Sequence, residues 1–134
     1  MTKDQKGKTF LKVVFFVCLA TITVLSLIPS PEIDISKDIS DKFMHFMAYF
    51  ITTALLCFAF RPVRISLSLI YGLLIFFYSI AIEIFQYFLP YRTCSLGDMI
   101  ANLSGILSFI FPYVVYIKKN GLRGMYRNTF KVSG

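Results

Sequence analysis

The sequence predicts an all-α membrane protein, a bundle of four transmembrane helices formed by a single domain over residues 1–134. Two observations support this prediction. Of the 134 residues, 57% are hydrophobic and only 16% are charged, whereas a soluble domain is nearer to half apolar and a quarter charged. The apolar residues also fall into four runs, and each run is close to the ~20 residues that cross a bilayer as a helix.

Prolines and basic residues mark the ends of the four helices. The predicted helices cover residues 10–28, 43–60, 65–89 and 99–117. The first follows a lysine-rich start and stops at Pro29, and no A-x-A-like cleavage site follows it. We therefore interpret it as an uncleaved helix rather than a secretory signal. Pro62 follows the second helix, Pro90 the third and Lys118 the fourth.

The basic residues predict that both termini are cytoplasmic. In that orientation the inner segments hold eleven of the fourteen Lys and Arg residues: four near the N-terminus, two between helices 2 and 3, and five after helix 4. The outer segments hold only Lys37, Lys42 and Arg92. This positive-inside bias predicts a multi-pass protein of the bacterial cytoplasmic membrane. Topology and attraction to anionic lipids explain the net charge of +7, so membrane lipids, and no nucleic acid, are the expected partners.

Polar side chains gather at the outer ends of helices 2, 3 and 4. They form three helical faces: Asp41, His45, Tyr49 and Thr52; then Ser79, Glu83 and Gln86; then Asp98, Asn102 and Gly105. Lys42 and Arg92 lie beside these faces in the sequence. Lipid does not accept polar faces of this kind. They predict a polar cavity that opens outward between helices 2, 3 and 4, with helix 1 packed outside it.

Each of these residues has a functional and a structural interpretation. In the functional interpretation, His45 and Glu83 are catalytic residues that form an acid–base pair. In the structural interpretation, His45 is a hydrogen-bonded core histidine, and the Glu83 carboxylate pairs with a basic residue. Arg92 either anchors the loop through Asp98 or binds a phosphate or carboxylate. The other candidate ligand-binding residues are Asp41, Lys42, Tyr49, Gln86, Asp98 and Asn102. Of these, Asn102 also fits a helix–helix hydrogen bond, and Tyr49 a core or interfacial aromatic. Gly105, four residues after Ala101, predicts a small-xxx-small packing surface.

Other kinds of chemistry find little support in the sequence. One histidine and three scattered cysteines do not make a usual zinc site. The chain has no glycine-rich phosphate loop and no G-x-S-x-G nucleophile motif. We therefore predict no metal and no cofactor.

The spacing of the polar residues resembles a known signature. Asp41-Lys42-x-x-His45-Phe46-x-x-Tyr49, followed by Glu83-x-x-Gln86-x-x-x-Pro90-x-Arg92-x-x-x-x-x-Asp98-x-x-x-Asn102-x-x-Gly105, is similar to the motifs of VanZ-like bacterial membrane proteins. The resemblance covers helices 2 to 4. It implies a role in the cell envelope, because the namesake of the family is associated with teicoplanin resistance.

Two functional classes follow from the residues and the resemblance together. In the first, the protein binds a lipid-linked or anionic envelope molecule, or a lipoglycopeptide, and thereby affects susceptibility to teicoplanin-type glycopeptides. In the second, it is a small membrane enzyme that acts on a lipid phosphate or acyl group. The first is favoured because no nucleophile or metal set is evident. A purely structural role is the third interpretation.

The predicted orientation can be tested by cysteine labelling. A membrane-impermeant maleimide added to intact cells should label Cys94 in the predicted outer loop and spare a cysteine introduced as Arg64→Cys. After permeabilisation both should react, which controls for reactivity. The reverse pattern in intact cells would overturn the orientation and the outward-opening cavity.

Overall fold

The computed structural model describes residues 3–29, 35–91 and 95–132, with side chains over 5–29, 40–91 and 95–120. Throughout these residues the only regular secondary structure is α-helix. The four helices are α1 (Lys3–Leu27), α2 (Ile35–Phe60), α3 (Ile65–Tyr87) and α4 (Leu96–Val132). All four are long and apolar enough to cross a membrane. The predicted all-α fold with four membrane helices is confirmed.

Three of the four helices extend beyond the apolar runs that predicted them, whereas α3 ends at Tyr87, two residues before its predicted end. α2 begins at Ile35 rather than at Phe43, and α4 runs from Leu96 to Val132 rather than from 99 to 117. The segments apolar enough to span a bilayer are shorter: Gln5–Leu27, Ser40–Phe60, Ile65–Tyr87 and Leu96–Asn120. Hydropathy identifies the part of a helix that lies in lipid, whereas the backbone hydrogen bonds that define the helix continue into the aqueous region.

α2 is the central helix of the bundle. It contacts α1, α3 and α4, and its most extensive contact is with α4. Phe50 and Phe58 of α2 pack edge-on against Phe109 of α4, and Phe58 also reaches Tyr113. Later residues of α2 therefore contact later residues of α4, so the two helices run parallel. Their N-terminal ends consequently lie at the same end of the bundle.

Gly105 allows the parallel pair to approach closely. A Cβ atom added at Gly105 would lie 2.2 Å from the carbonyl oxygen of Phe46 and 3.1 Å from the backbone nitrogen of Phe50. No side chain fits into that space, because the neighbouring atoms belong to backbone. Small residues at such positions let membrane helices pack through dispersion contacts. The interpretation of Gly105 as a packing residue is confirmed.

Most buried hydroxyl groups are satisfied within their own helices. Thr52, Thr53 and Ser68 each donate to the carbonyl oxygen four residues earlier, at 2.7, 2.6 and 3.2 Å respectively. Ser79 donates to the carbonyl oxygen of Phe76 at 2.8 Å. Such back-bonding is the usual arrangement for hydroxyl residues in membrane helices. These groups need no ligand to explain their burial.

Substitution of the glycines tests the α2–α4 contact. Gly105→Ala should lower the free energy of unfolding by about 3 kcal/mol, at the upper end of overpacking costs, because its neighbour is backbone. Gly72→Ala should cost about 1 kcal/mol, because its nearest neighbour, at 3.2 Å, is a movable side-chain carbon of Ile110. A Cβ atom added at Gly7 would have nothing within 4 Å, so Gly7→Ala should not lower the free energy of unfolding. Denaturation in detergent, followed by circular dichroism, measures the series; equal stability of the Gly105 and Gly7 variants would contradict the close approach.

Candidate functional site

The four helices place one cluster of polar groups at a single end of the bundle. We call it the polar end and define it by four residues, one from each helix in turn: Ser26, His45, Gln86 and Asn102. Two hydrogen bonds between helices link these residues in pairs: His45 with Asn102, and the Gln86 side chain with the backbone of Ser26. The polar end thus comprises the C-terminal turns of α1 and α3 and the N-terminal turns of the membrane-spanning parts of α2 and α4.

His45 is held by Asn102 of the neighbouring helix. Its Nδ1 atom lies 3.0 Å from the Oδ1 atom of Asn102. Because Oδ1 only accepts, the ring nitrogen donates, and Nδ1 carries a proton. The imidazole is 15% exposed, and Asn102 is fully buried. The hydrogen bond therefore fixes both the orientation of the ring and its tautomer.

His45 lies beside two acidic side chains. Its Nε2 atom is 4.0 Å from Oδ2 of Asp41, one helical turn earlier on α2. Asp98, in the first turn of α4, completes a group in which one ligand atom from each of the three residues lies within 4.8 Å of the others. Asp41 is exposed and Asp98 is buried. The sequence predicted no metal site, yet this arrangement of oxygen and nitrogen atoms is one that could hold a cation.

Lys42 and Ser95 lie at the first turn of α4. The Lys42 side chain passes so close to Gly97 that a Cβ atom added there would lie 2.6 Å from its Cε atom. The hydroxyl oxygen of Ser95 accepts a hydrogen bond from the backbone nitrogen of Gly97 at 3.2 Å, which caps the helix. Asp98 follows three residues after this capping serine, a position where the helix dipole favours a carboxylate. The sequence signal S-x-x-D would have identified this cap.

Glu83 lies deeper in the bundle than the histidine. Both of its carboxylate oxygens are inaccessible to solvent, and the residue is 2% exposed. It interacts electrostatically with Tyr49, one helical turn beyond His45 on α2. Tyr49 is itself buried. Burying a carboxylate in a membrane helix costs several kcal/mol unless its surroundings compensate, so this position demands either a structural or a functional explanation.

Gln86 does not point toward α2 or α4. Its Nε2 atom donates to the carbonyl oxygen of Ser26 at 2.9 Å, and the hydroxyl of Tyr91 donates to the carbonyl oxygen of Leu27 at 3.1 Å. These two carbonyls belong to the last turn of α1, where no intrahelical donor remains. The Tyr78 hydroxyl also hydrogen-bonds α1, through the carbonyl oxygen of Leu19 and the hydroxyl of Thr23. Sequence reasoning missed this capping of α1, because periodicity gives the face of a helix but not the neighbour it meets.

The structure thus divides the nine candidate site residues into groups. Asp41, Lys42, His45, Asp98 and Asn102 lie together where α2 meets α4, Glu83 lies with Tyr49, and Gln86 contacts α1. Arg92 falls outside the described residues. The acid–base pairing of His45 with Glu83 stays a prediction, since the described contacts of the imidazole nitrogens are with Asn102 and Asp41. The ligand-binding roles stay predictions as well.

Comparison with known proteins gives one match. The family model described as VanZ/LLP1 matches residues 3–117, which include nearly all of the four spans and every candidate site residue. Neither the curated proteins nor the solved structures contain a match to this chain.

Nitrogen NMR can test the tautomer of His45, because the chain contains a single histidine. In protein labelled with ¹⁵N-histidine and purified without a histidine tag, the neutral ring should carry its proton on Nδ1. Asn102→Leu removes the acceptor and should shift the population toward the Nε2-protonated form. Ser104→Leu, at an exposed position on the same helix, is the matched control. An unchanged spectrum in Asn102→Leu would mean that the hydrogen bond does not set the tautomer.

Proposed function

Because the chain belongs to the VanZ/LLP1 family, we propose that it binds an anionic, lipid-linked molecule of the cell envelope at the polar end of its bundle. In this proposal the charged head of the ligand lies among the first turns of α2 and α4 and the last turns of α3. The consequence for the cell is altered susceptibility to teicoplanin-type lipoglycopeptides, in keeping with the association of the family's namesake with teicoplanin resistance.

One observation carries the proposal, namely the distribution of the buried polar groups. The hydroxyl groups that are buried along the helices are satisfied by carbonyls of their own helix. The remaining buried polar side chains are Glu83, Gln86, Asp98 and Asn102, and all four lie toward the polar end. Gln86 and Asn102 also form hydrogen bonds within the bundle, but the fold does not require four buried polar side chains to collect at one end. Polar and ionisable groups inside a membrane usually mark a ligand site.

The charges at the polar end favour an anionic head group. Lys42 lies against the first turn of α4, where the Asp98 carboxylate already interacts favourably with the positive end of the helix dipole. Arg92, three residues before the Ser95 cap in sequence, supplies a guanidinium suited to two-point binding of phosphate. Together the two basic residues give an anion the charged hydrogen-bond donors that the apolar membrane interior lacks. They are also two of the three basic residues on the predicted outer side.

The outward faces along the length of the bundle suit a lipid tail. α1, α3 and α4 expose large apolar side chains along their outward surfaces, among them Phe16, Phe77, Phe85 and Phe111. In a membrane these surfaces contact acyl or prenyl chains. A ligand with a lipid tail reaches the polar end by lateral diffusion in the leaflet, so its tail never leaves the apolar phase.

His45 favours a second candidate function, that of a small membrane enzyme acting on a lipid phosphate or acyl group. With its Nδ1 proton donated to Asn102, the neutral ring presents a lone pair at Nε2, the state of a general base. Asp41 at 4.0 Å stabilises the imidazolium that proton transfer would form. Glu83 is the second member of the acid–base pair in this alternative. Formation of a lipid product that is lost with Glu83→Gln would favour the enzyme.

The binding proposal is tested with a matched pair of lipids. Protein in nanodiscs should bind a prenyl diphosphate at least tenfold more tightly than the prenyl alcohol with the same tail, because only the former engages the basic residues. Lys42→Gln and Arg92→Gln should each remove most of this preference. Equal affinity for the two lipids would contradict the proposal.

The role of Glu83 is tested in the same assay. Glu83→Gln keeps the shape of the side chain and removes its charge; we expect it to accumulate normally and to lose preferential binding, while Glu83→Asp retains part of it. Removing one member of a buried charge pair typically costs ~3–5 kcal/mol. A low folded yield for Glu83→Gln that is restored by adding Arg92→Gln would therefore assign Glu83 to structural pairing. If Glu83→Gln accumulates to the wild-type level and binds the lipid as the wild type does, Glu83 is not part of the site.

A further inference from the structure

We propose that the end of the bundle opposite the polar end binds the phosphate head group of an anionic phospholipid, with Arg61 and Tyr113 as its principal contacts. We call this region the basic end. It comprises the N-terminal turns of α1 and α3 and the C-terminal turns of the membrane-spanning parts of α2 and α4. The site goes beyond the proposed function and is independent of it, because the envelope ligand is assigned to the polar end.

Positive charge accumulates at the basic end. The basic side chains that the structure describes there are Lys6, Lys8, Lys12, Arg61, Arg64, Lys118 and Lys119. None of the carboxylate side chains described in the structure lies there. In the sequence, Asp4 is the only acidic residue among residues 1–12, 61–64 and 118–134. The carboxylates of the chain are therefore too few to balance this charge, whatever contacts single side chains make, and anionic head groups of the membrane surface supply the counter-charge.

The backbone at Arg61 indicates that its guanidinium has a role of its own. Arg61 follows α2 with a φ of 48°, and it is the non-glycine residue with a positive φ in the described part of the chain. Its amide donates to the carbonyl oxygen of Cys57 at 2.8 Å, which ends the helix. Glycine adopts this left-handed conformation without the strain that a side chain adds. Strained positions of this kind accumulate at functional sites, so a charged residue here points to a task for the charge.

Tyrosine side chains of α3 and α4 lie around Arg61. Tyr113 of α4 interacts electrostatically with Arg61 and with Tyr71 of α3. The ring of Tyr113 packs against those of Phe109 and Tyr116, with centroids 5.6 and 6.4 Å apart. Tyrosines at this depth of a membrane keep the ring among acyl chains and the hydroxyl at the head groups. The Tyr113 hydroxyl and the Arg61 guanidinium thus offer two donors to one phosphate group.

α1 adds a third cation at the same level. The Lys12 ammonium lies 4.9 Å from the centroid of the Phe60 ring. Phe60 in turn packs edge-on against Tyr71, with centroids 6.2 Å apart. Lys12, Phe60, Tyr71 and Tyr113 therefore form a continuous series of basic and aromatic side chains that involves all four helices. This is the combination that marks the boundary between acyl chains and head groups.

The apolar side chains beside these residues favour a phospholipid over a soluble phosphate. Leu69 of α3, and Phe111 and Val115 of α4, are each exposed at about the level of the tyrosines or deeper in the membrane span. They offer contact to acyl chains whose phosphate lies at Arg61. A soluble phosphate gains nothing from that surface, whereas a lipid gains from both the charges and the apolar contacts.

Native mass spectrometry of the purified protein in detergent, titrated with phosphatidylglycerol and with phosphatidylcholine of the same acyl chains, tests the site. The wild type should bind phosphatidylglycerol about tenfold more tightly. Arg61→Gly removes the charge and suits the backbone, so it should not lower the free energy of unfolding, yet it should weaken phosphatidylglycerol binding about fivefold. Tyr113→Phe keeps the ring and removes the hydroxyl, and it should weaken binding roughly threefold.

Lys6→Gln is the matched control, because it removes one positive charge from an exposed position of α1 and should leave the affinity unchanged within about twofold. Equal losses in Lys6→Gln and Arg61→Gly would mean attraction by net charge alone and would overturn the site. Wild-type affinity in Tyr113→Phe would also overturn it, as would competition by glycerol phosphate as effective as that by the lipid.

The prenyl diphosphate assay separates this site from the proposed function. Arg61→Gly should lose its preference for phosphatidylglycerol and keep the preference for prenyl diphosphate, because the two ligands bind at opposite ends of the bundle. Loss of both preferences in this variant would contradict two separate sites. A wild-type protein that prefers phosphatidylglycerol but not prenyl diphosphate would refute the proposed function and leave the basic end as a lipid site.

Discussion

The close approach of α2 and α4 at Gly105 is the constraint on which the polar end depends. Backbone contacts backbone where Gly105 meets Phe46, and this fixes how far the two parallel helices are displaced along one another. Toward the N-termini, the same alignment places His45 against Asn102 and, farther along, Lys42 against Gly97. A side chain at position 105 would push the helices apart or shift them. The hydrogen bond between His45 and Asn102 could then form only in another geometry.

The sequence was sufficient for the spans and for the polar faces. Four apolar runs predicted four membrane helices, and helical periodicity grouped Ser79 with Glu83 and Gln86, all of which the structure buries. Gly105 was identified as a packing position from its spacing to Ala101. These successes have one cause, because hydropathy and periodicity are local properties that lipid enforces residue by residue.

The partners of the polar groups could not be predicted in the same way. His45 and Asn102 are 57 residues apart, and Gln86 and Ser26 are 60 apart. Periodicity placed Gln86 on the face of Glu83, but its amide donates to the end of α1 instead. The proximity of Asp41, His45 and Asp98 was not predicted, because a search for closely spaced cysteines and histidines does not detect side chains that meet only when two helices pack. The start of α2 and both ends of α4 were predicted wrongly, because hydropathy identifies the part of a helix that lies in the membrane and not the whole helix.

Charge balance determines where in the polar end the proposed ligand can lie. Asp41 and Asp98 lie beside His45, and Lys42 lies against Gly97, the residue before Asp98. In surroundings where charge is costly, an anion gains from Lys42 only if it stays farther from the two carboxylates than from the ammonium group. The position of Lys42 at the first turn of α4, and not the net charge of the polar end, therefore determines whether an anionic head group binds.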